Sequence, residues 1–452
     1  MIEHMQRDMV VHCALEFDHL ISTGQEYLIK QRIKSYNAKC LAKDDVVIID
    51  NIFFIWIGCI GDEAIKYIQI WRSLAKDSSI SIYYDSTFLL YGFYKSVFNK
   101  IYGICNETKK EDIIKYQDEF RNKIEYRVTK GVSFDLALIE EVRDFLDEDA
   151  NILERELSAS AERMKRVGAD YDLIDISKQD DLFNDKFYLN IYRMELLLRG
   201  NPASASDILR LLIIYFRGGM YIDVDTLPSL KPIYGDAVEN INCNMVDIIR
   251  SEYFLRAWAD KKKKIEIKKN DISQIENFIS LKDKYLLKRF EELSTKMDMN
   301  LLFLPPAHVY KDLISIAGLE TQDEYNNNIV IAEKGSRLVR IILRELKARY
   351  KFLFKYGLDR GPNKHLPVDH YLSCLSNYRY DTLDKKANVT LFLTGPCLLL
   401  EVILGVAYEI LRLEKSVSPL AVSYALRLRC VLIAFEDHTN YTPEHMKSSW
   451  MK

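Results

Sequence analysis

Residues 199 to 230 read RGNPASASDILRLLIIYFRGGMYIDVDTLPSL, three elements in one line. Ser206 and Asp207 are residue types that cap helices. Ile208, Leu209, Leu211, Leu212, Ile213 and Ile214 follow, with Arg210 the one polar interruption. This predicts a capped helix buried on most of its surface, with one charged side chain near its N-terminal end. Gly218-Gly219 ends the helix, because glycine takes a left-handed C-terminal conformation without steric cost. Met220 to Asp225 then predicts a short strand, closed by Thr226-Leu227-Pro228. Alternate residues of a strand share a face, so Tyr221, Asp223 and Asp225 point one way and Met220, Ile222 and Val224 the other. Two adjacent carboxylates repel. A hard divalent cation completed by phosphate oxygens gives the pair a reason to exist. An isolated Asp-x-Asp on a solvated edge strand is commonplace, but the apolar helix and Gly-Gly break ahead of this one favour the metal.

Arg199 to Pro228 resembles the donor-site segment of the large clostridial glucosylating toxins and related bacterial effector glycosyltransferases, which have a GT-A fold and an Asp-x-Asp motif. The likeness rests on Arg199-Gly200-Asn201, on Ser206-Asp207-Ile208-Leu209-Arg210, and on Gly218-Gly219-Met220-Tyr221-Ile222-Asp223-Val224-Asp225. The resemblance implies an α/β, Rossmann-like nucleotide-sugar-binding core with large helical insertions and an N-terminal helical segment. It covers residue 50 to the C-terminus in patches and is strongest at 199–230.

Length and composition set the frame. A chain of 452 residues can bury one large core or two ordinary ones. Its net charge of −3 gives no general attraction to nucleic acid. The eight cysteines are scattered without a Cys-x-x-Cys and read as free thiols of a reducing compartment. The eight histidines form no zinc-ligand spacing. Met1 to Met9 mixes acids, bases and a histidine, so no signal peptide is expected there. The apolar runs 208–216 and 397–411 carry Arg210 and Glu401 and read as core elements rather than membrane spans.

Outward from the central segment, residues 4 to about 38 have a helical pattern. They are read as an N-terminal helical segment spanning 1–45, with the glycosyltransferase domain over 46–452. Val46 to Gly58 predicts a buried strand whose end reaches a ligand-binding mouth. There Phe54-Ile55-Trp56-Ile57-Gly58 resembles the family's first-strand signature, which implies that Trp56, beside Ile55, stacks on the uracil of the donor. The residues alone leave a core tryptophan equally open. A helix over Gly61 to Lys76 and a strand over Ile80 to Asp85 continue the α/β half, with Asp85 a candidate cap. Residues 88 to about 190 and 250 to 320 read as helical insertions, Val246 to Ile249 as a strand, and Lys261 to Lys269 as a local basic patch on a solvated helix or a contact for lipid or an acidic partner. Asn326-Asn327-Asn328 reads as a loop entering a strand. By resemblance Asn327 lies near the donor sugar, whereas the residues alone also permit a polar turn. A helix is expected from Ser336 to about Tyr350, and Val389 to Pro396 reads as a strand and turn, with Thr394-Gly395-Pro396 architectural. Ser448-Ser449-Trp450 has the family's Ser-x-Trp spacing. This implies that Ser448 completes the metal shell and Trp450 closes over the donor. The end at Lys452 is expected to mark a piece trimmed from something longer.

The resemblance thus implies a metal-dependent, retaining glycosyltransferase. In it Asp225, Asp223 and Ser448 hold manganese or magnesium, and Asp207 and Arg210, one helical turn apart, hold sugar hydroxyls. Trp56, Tyr221, Asn327 and Trp450 enclose a UDP-sugar, either UDP-glucose or UDP-N-acetylglucosamine. The implied acceptor is a hydroxyl of a host protein, a small GTPase of the Rho, Rab or Ras type. The enzyme would be a monomer, released by a bacterium and acting in the host cytosol, with a peripheral membrane contact. Transfer to another protein or glycan, or a non-catalytic nucleotide-sugar-binding module, are the alternatives.

Overall fold

A computed structural model describes residues 25–41, 45–104, 110–147, 149–228, 306–319, 325–361, 370–381, 388–428 and 435–441. Ser448, Trp450, the strand expected at Val246 to Ile249 and the basic patch at 261–269 lie outside the described residues, as does the helical pattern before residue 25. In chain order the strands are β1 (Val46–Ile49), β2 (Asn51–Trp56), β3 (Ser79–Tyr84), β4 (Asp172–Asp175), β5 (Gly219–Ile222), β6 (Leu227–Pro228), β7 (Ala307–Tyr310), β8 (Ser315–Leu319), β9 (Tyr325–Ala332) and β10 (Phe435–Tyr441). The helices are α1 (Gln25–Leu41), α2 (Asp62–Leu74), α3 (Tyr91–Ile104), α4 (Lys110–Thr129), α5 (Phe134–Leu146), α6 (Ala150–Gly168), α7 (Lys186–Arg199), α8 (Pro202–Arg217), α9 (Arg337–Lys355), α10 (Asn388–Leu393), α11 (Pro396–Leu411) and α12 (Pro419–Leu428).

The central sheet runs β4-β3-β2-β5-β9-β8-β10-β6. The first four strands are parallel, as helical crossovers require. β9 then pairs antiparallel with β5, so the start of β9 meets the end of β5. That reversal sets the site, because Ile222 faces Ile329 and the next residues, Asp223 and Asn328, emerge side by side. The sheet is buried on both faces. Ile52, Phe54, Ile82, Met220, Ile222, Ile329 and Ile331 join Ala64, Ile68 and Trp71 of α2 on one side. Phe53, Ile55, Tyr83, Tyr221 and Val330 join α7, α8, α9 and α11 on the other.

Several elements depart from the sequence reading, each for a local reason. The run Val46 to Gly58 is two strands, not one. Asp50 interrupts it, and β1 turns away to pair antiparallel with β7 in a separate two-stranded ribbon. Helix α8 starts at Pro202, not at Ser206-Asp207. Asn201 caps it by accepting from the Ser204 N–H at 3.1 Å, with proline in the first turn. Asp207 is therefore a helix-interior residue. Asn326 to Asn328 belong to β9 rather than to a loop. Val389 to Leu393 is helical, not a strand: the β-favouring Val, Thr and Phe are overridden by burial of Val389, Thr390 and Leu393 among helices. Within the charged stretch after residue 88, four helices precede a strand, β4, parallel to β3 at the sheet edge. Ser336 caps α9 as expected for its start, and Asp85 caps a single 3₁₀ turn by accepting from the Thr87 N–H at 2.9 Å.

Residues Val389–Leu411 are apolar and long enough to cross a membrane, with mean hydropathy 2.1, yet half of that window is buried inside the protein. The stretch breaks at Thr394-Gly395 between α10 and α11, and Leu398, Leu399 and Ile403 of α11 enter the main core. It serves as core helix.

Gly218 and Gly219 join α8 to β5 at φ +73° and +122°, backbone that other residues rarely adopt. A Cβ on Gly218 would come within 2.6 Å of the Lys334 backbone nitrogen just beyond β9, so the pair also permits close approach of two backbones. Gly218→Ala is expected to lower stability by about 2–3 kcal/mol. In equilibrium urea unfolding this appears as a lower midpoint at unchanged slope. A midpoint equal to wild type would show that neither the φ nor the contact constrains the residue.

Candidate active site

The site forms where β2, β5 and the start of β9 end beside the N-terminal half of α8. In α8, Asp207 and Arg210 stand three residues apart on the face toward the sheet, and both are 4% exposed. The Arg210 guanidinium meets Asp207 Oδ1 at 2.9 Å and Asp223 Oδ1 at 3.1 Å. It also donates to the backbone carbonyl of Asn327, and it lies 4.2 Å from the centroid of the Tyr221 ring. Tyr221 in turn donates its hydroxyl to Asp223 and lies 3.4 Å from Ser206 Oγ.

Asp207 is engaged through both oxygens. Oδ1 accepts from Asn327 Nδ2 at 3.0 Å as well as pairing with Arg210, and Oδ2 accepts from Thr394 Oγ1 at 2.9 Å. Burial lifts its carboxyl to about 6 despite the neighbouring guanidinium. The same neighbours hold the Arg210 charge firmly in place: Tyr221, Asp207 and Asp223 raise its pKa against the opposing effect of burial.

β5 ends at Ile222, so Asp223 and Asp225 sit not on a strand face but in the turn that follows, where the Thr226 N–H bonds the Asp223 carbonyl at 2.9 Å. The strand alternation holds only through Ile222: Met220 and Ile222 enter one core layer and Tyr221 the other. Asp223 is 31% exposed, leaving one carboxylate edge open beyond Arg210 and Tyr221. Asp225 makes no hydrogen bond or ion pair with another side chain among the described residues. Burial, followed by the Asp223 charge, pushes its carboxyl up to about 7. Burial raises Asp223 as well. Two hard-oxygen ligands, one lacking a protein counter-charge of its own, fit a divalent cation whose other ligands come from a substrate. Among the described residues no group of three His, Cys, Asp or Glu side chains could hold a metal without such help.

Two residues to which the sequence assigns no site role fix this turn. Trp71 on α2, 2% exposed, donates its indole N–H to the Thr226 carbonyl at 2.8 Å. Asn328, 1% exposed, donates to Thr226 Oγ1 at 3.2 Å, and its carbonyl accepts from the Asp223 N–H at 2.7 Å. Thr394, assigned only an architectural role from its sequence, reaches Asp207. For Trp71 the sequence signal was a tryptophan on the apolar stripe of a helix, which is indistinguishable from core packing.

Of the residues expected at the site, Asp207, Arg210, Tyr221, Asp223 and Asn327 form one hydrogen-bonded cluster with Asp225 beside it. Asn327, 7% exposed, is a strand residue tied to Asp207 rather than a turn residue. Trp56 is half-buried at the end of β2, in register with Tyr84 of β3. Ile55, 6% exposed, lies in the core layer of Tyr221. Tyr221, at 2% exposure, supports Asp223 from below.

Comparison with known proteins gives this cluster its context. The chain is 28% identical over 335 residues to Cytotoxin-L of Paraclostridium sordellii, covering 67% of this chain and 13% of that one. It is 25% identical over 351 residues to Toxin B of Clostridioides difficile, covering 73% of this chain and 14% of the toxin. The chain thus matches only a small part of the curated relatives. Its fold resembles the catalytic domain of alpha-toxin from Clostridium novyi, with TM-score 0.70 at 20% identity over 90% of this chain and 80% of that one. It also resembles the UDP-bound glycosyltransferase domain of the YGT toxin, with TM-score 0.59 at 17% identity over 89% and 82% of the two chains. Residues 50–358 match the family model of the TcdA/TcdB catalytic glycosyltransferase domain, a stretch that begins just before β2, includes the Asp207–Arg210–Asp223–Asp225 cluster and ends just after α9. The chain belongs to the TcdA/TcdB catalytic glycosyltransferase domain family.

Proposed function

We propose that this domain transfers a hexose from a UDP-sugar, UDP-glucose or UDP-N-acetylglucosamine, to a hydroxyl of a host protein, with a small GTPase as acceptor. We further propose that it acts as a monomeric bacterial toxin domain in the host cytosol. The observation that carries the reading is the Asp223–Asp225 turn, held over a buried Arg210 at the end of the parallel strands, where α/β folds bind nucleotides. Asp225 and Asp223 would hold manganese or magnesium, joined in the resemblance by Ser448. When bound, that cation acts as a Lewis acid toward the departing diphosphate.

The chain's own residues do the rest. Trp56, half-buried at the strand end, offers a ring face for the uracil. Arg210 offsets the charge of Asp207 and Asp223 at once, which works against burial to favour the ionised form of each and fixes both carboxylates in place. Asp207 and Asn327, locked to each other, present a rigid wall for sugar hydroxyls. Trp450, by resemblance, closes over the donor and excludes water. The three consecutive asparagines at 326–328 stand where the glucose-using toxins carry other neighbours around the matching asparagine, which leaves both sugars in the proposal.

Release of UDP from each donor, with manganese or with EDTA, tests the reaction. Asp225→Asn is expected to lower turnover by on the order of a hundredfold. Near-normal activity in that variant would remove the metal from the proposal. The same substitution has a stability signature. Asp225 titrates near 7 in the fold against an ordinary value of 3.8, so its folded form binds more protons than the unfolded chain between those values. Its stabilising contribution is therefore complete below pH 4 and lost as pH rises through about 7. Without metal, Asp225→Asn should melt a few degrees above wild type at pH 8 and level with it near pH 4. A lower melting temperature at pH 8 would contradict a carboxylate held for function at a cost to the fold.

Trp71→Phe keeps the ring packing and removes only the N–H that holds Thr226. It is expected to weaken apparent manganese affinity and kcat/KM about tenfold, through a loosened carboxylate turn. A small drop in melting temperature with unchanged manganese dependence would leave Trp71 a packing residue only.

A further inference from the structure

A chain of buried hydroxyls connects Asp207 to Arg199, and the chemistry proposed above does not use it. Thr394 Oγ1 stands 2.9 Å from Asp207 Oδ2 and 3.2 Å from Ser204 Oγ, which lies 3.4 Å from Thr390 Oγ1. Ser204, Thr390 and Thr394 are all buried. Arg199 donates to Ser204 Oγ at 3.3 Å and to Thr390 Oγ1 at 3.2 Å. Asn201 donates to the same two oxygens, at 3.2 and 2.7 Å. Its amide is oriented by the helix cap, since Oδ1 takes the Ser204 N–H and leaves Nδ2 facing the hydroxyls.

Proton supply gives this chain a direction. A hydroxyl has one proton and two lone pairs, whereas a guanidinium can only donate. Arg199 and Asn201 together fill both lone pairs of Ser204 Oγ and both of Thr390 Oγ1. On position alone either hydroxyl of the Ser204–Thr394 pair could donate, but Ser204 has no room left to accept and passes its proton to Thr394. Thr394 has three acceptors in reach: Asp207 Oδ2, Ser204 Oγ and the Thr390 carbonyl at 3.3 Å. Ser204 is filled, and the carbonyl already accepts the N–H groups of Thr394 at 3.1 Å and Gly395 at 2.9 Å. That leaves the Asp207 carboxylate, the nearest acceptor and the only charged one. On Asp207, Oδ1 is taken by Arg210 and Asn327, and Thr394 takes one of the two lone pairs of Oδ2. The place left for a donor from outside is on the atom that Thr394 orients.

Helix α8 does not need these hydroxyls, because Asn201 Oδ1 caps it. Apolar side chains of the same shape would fill the contact with α10 without burying polar groups. We propose that Ser204 and Thr394 are positioning residues for the transfer reaction. They carry the donor direction set by Arg199 and Asn201 to Asp207, and hold Oδ2 at the angle at which it accepts a hydroxyl of the donor sugar. The inference rests on the reading of Asp207 as a sugar contact. It sets the sugar apart from the rest of the donor, because the chain ends on Asp207 and not on Asp223, Asp225 or Trp56.

The test sets kcat/KM for UDP release from UDP-glucose and UDP-N-acetylglucosamine against calorimetric affinity for UDP, on the full chain with manganese. Thr394→Val keeps the shape of the side chain and removes the proton. It is expected to lower kcat/KM about tenfold while affinity for UDP stays within about twofold of wild type. Thr394→Ser returns the proton and should recover most of that loss. Ser204→Ala should lose about threefold, and the Ser204→Ala, Thr394→Val double variant no more than Thr394→Val alone, since Ser204 acts through Thr394. An equal loss of UDP affinity, a Thr394→Ser no better than Thr394→Val, or losses that multiply in the double variant overturn the proposal. Turnover by the wild type tests the reading of the donor separately. Where the wild type turns over neither sugar, urea unfolding of the same proteins still decides the chain: a double variant no less stable than Thr394→Val supports it, and midpoints that fall additively overturn it.

Discussion

One buried guanidinium holds the catalytic end of this domain together. Arg210 reaches from the third turn of α8 to strand β9 through the Asn327 carbonyl, to β5 through the Tyr221 ring, and to the turn beyond β5 through Asp223. A buried ion pair seldom stabilises a fold more than apolar packing of the same volume would, because desolvation offsets the attraction. What it does supply is register. Removing Arg210 would leave Asp207 and Asp223 as uncompensated charges within one small pocket, whereas with it three separate elements must meet in one arrangement. Asp207 extends the lock to Thr394, so residues almost two hundred positions apart converge on a single carboxylate.

A second buried cluster repeats the device one helix away. Arg199, fully enclosed at the end of α7, pairs with Glu195 at 2.7 Å and with Asp381 at 3.3 Å, and lies 4.7 Å from the Tyr378 ring centroid. The hydroxyls of Tyr350 and Tyr378 both reach Glu195 Oε1 at 2.7 Å. Asn201, cap of the next helix, joins the group through Thr390 at 2.7 Å. The Arg-Gly-Asn lead-in to the donor segment is therefore structural: it fixes where α8 begins, and so where Asp207 and Arg210 come to lie.

Much of this was legible in the chain. The helix, the Gly-Gly break and the acidic pair after it were readable because each rests on local chemistry: an apolar run, a residue without Cβ, a carboxylate spacing. What the sequence hid was nonlocal. Nothing in Val46 to Gly58 says that β1 leaves the main sheet, since its partner, β7, is more than 250 residues away. Val389 to Leu393 has strand composition but is helical, because its neighbours bury it in that form. The acidic pair was read as strand because alternation fits it, yet β9 takes over the Asp223 N–H through the Asn328 carbonyl and the chain turns. Trp71 carries no motif, and Asn328 reads only as the last of three asparagines entering a strand. Their importance lies only in which carbonyl and which hydroxyl they reach.

The contact between Thr394 and Asp207 bears on what counts as the smallest working unit. The stretch that matches the family model stops at residue 358, just after α9. A protein cut there would retain every residue of the acidic turn and of its Arg210 support. It would also leave Asp207 Oδ2 without its donor and Arg199 without Asp381 and Thr390, two buried polar groups each stripped of partners. It would expose the faces of α8 and α9 that α10 and α11 cover. The stretch that matches the family model is thus shorter than the unit that must fold together, which extends at least through α11.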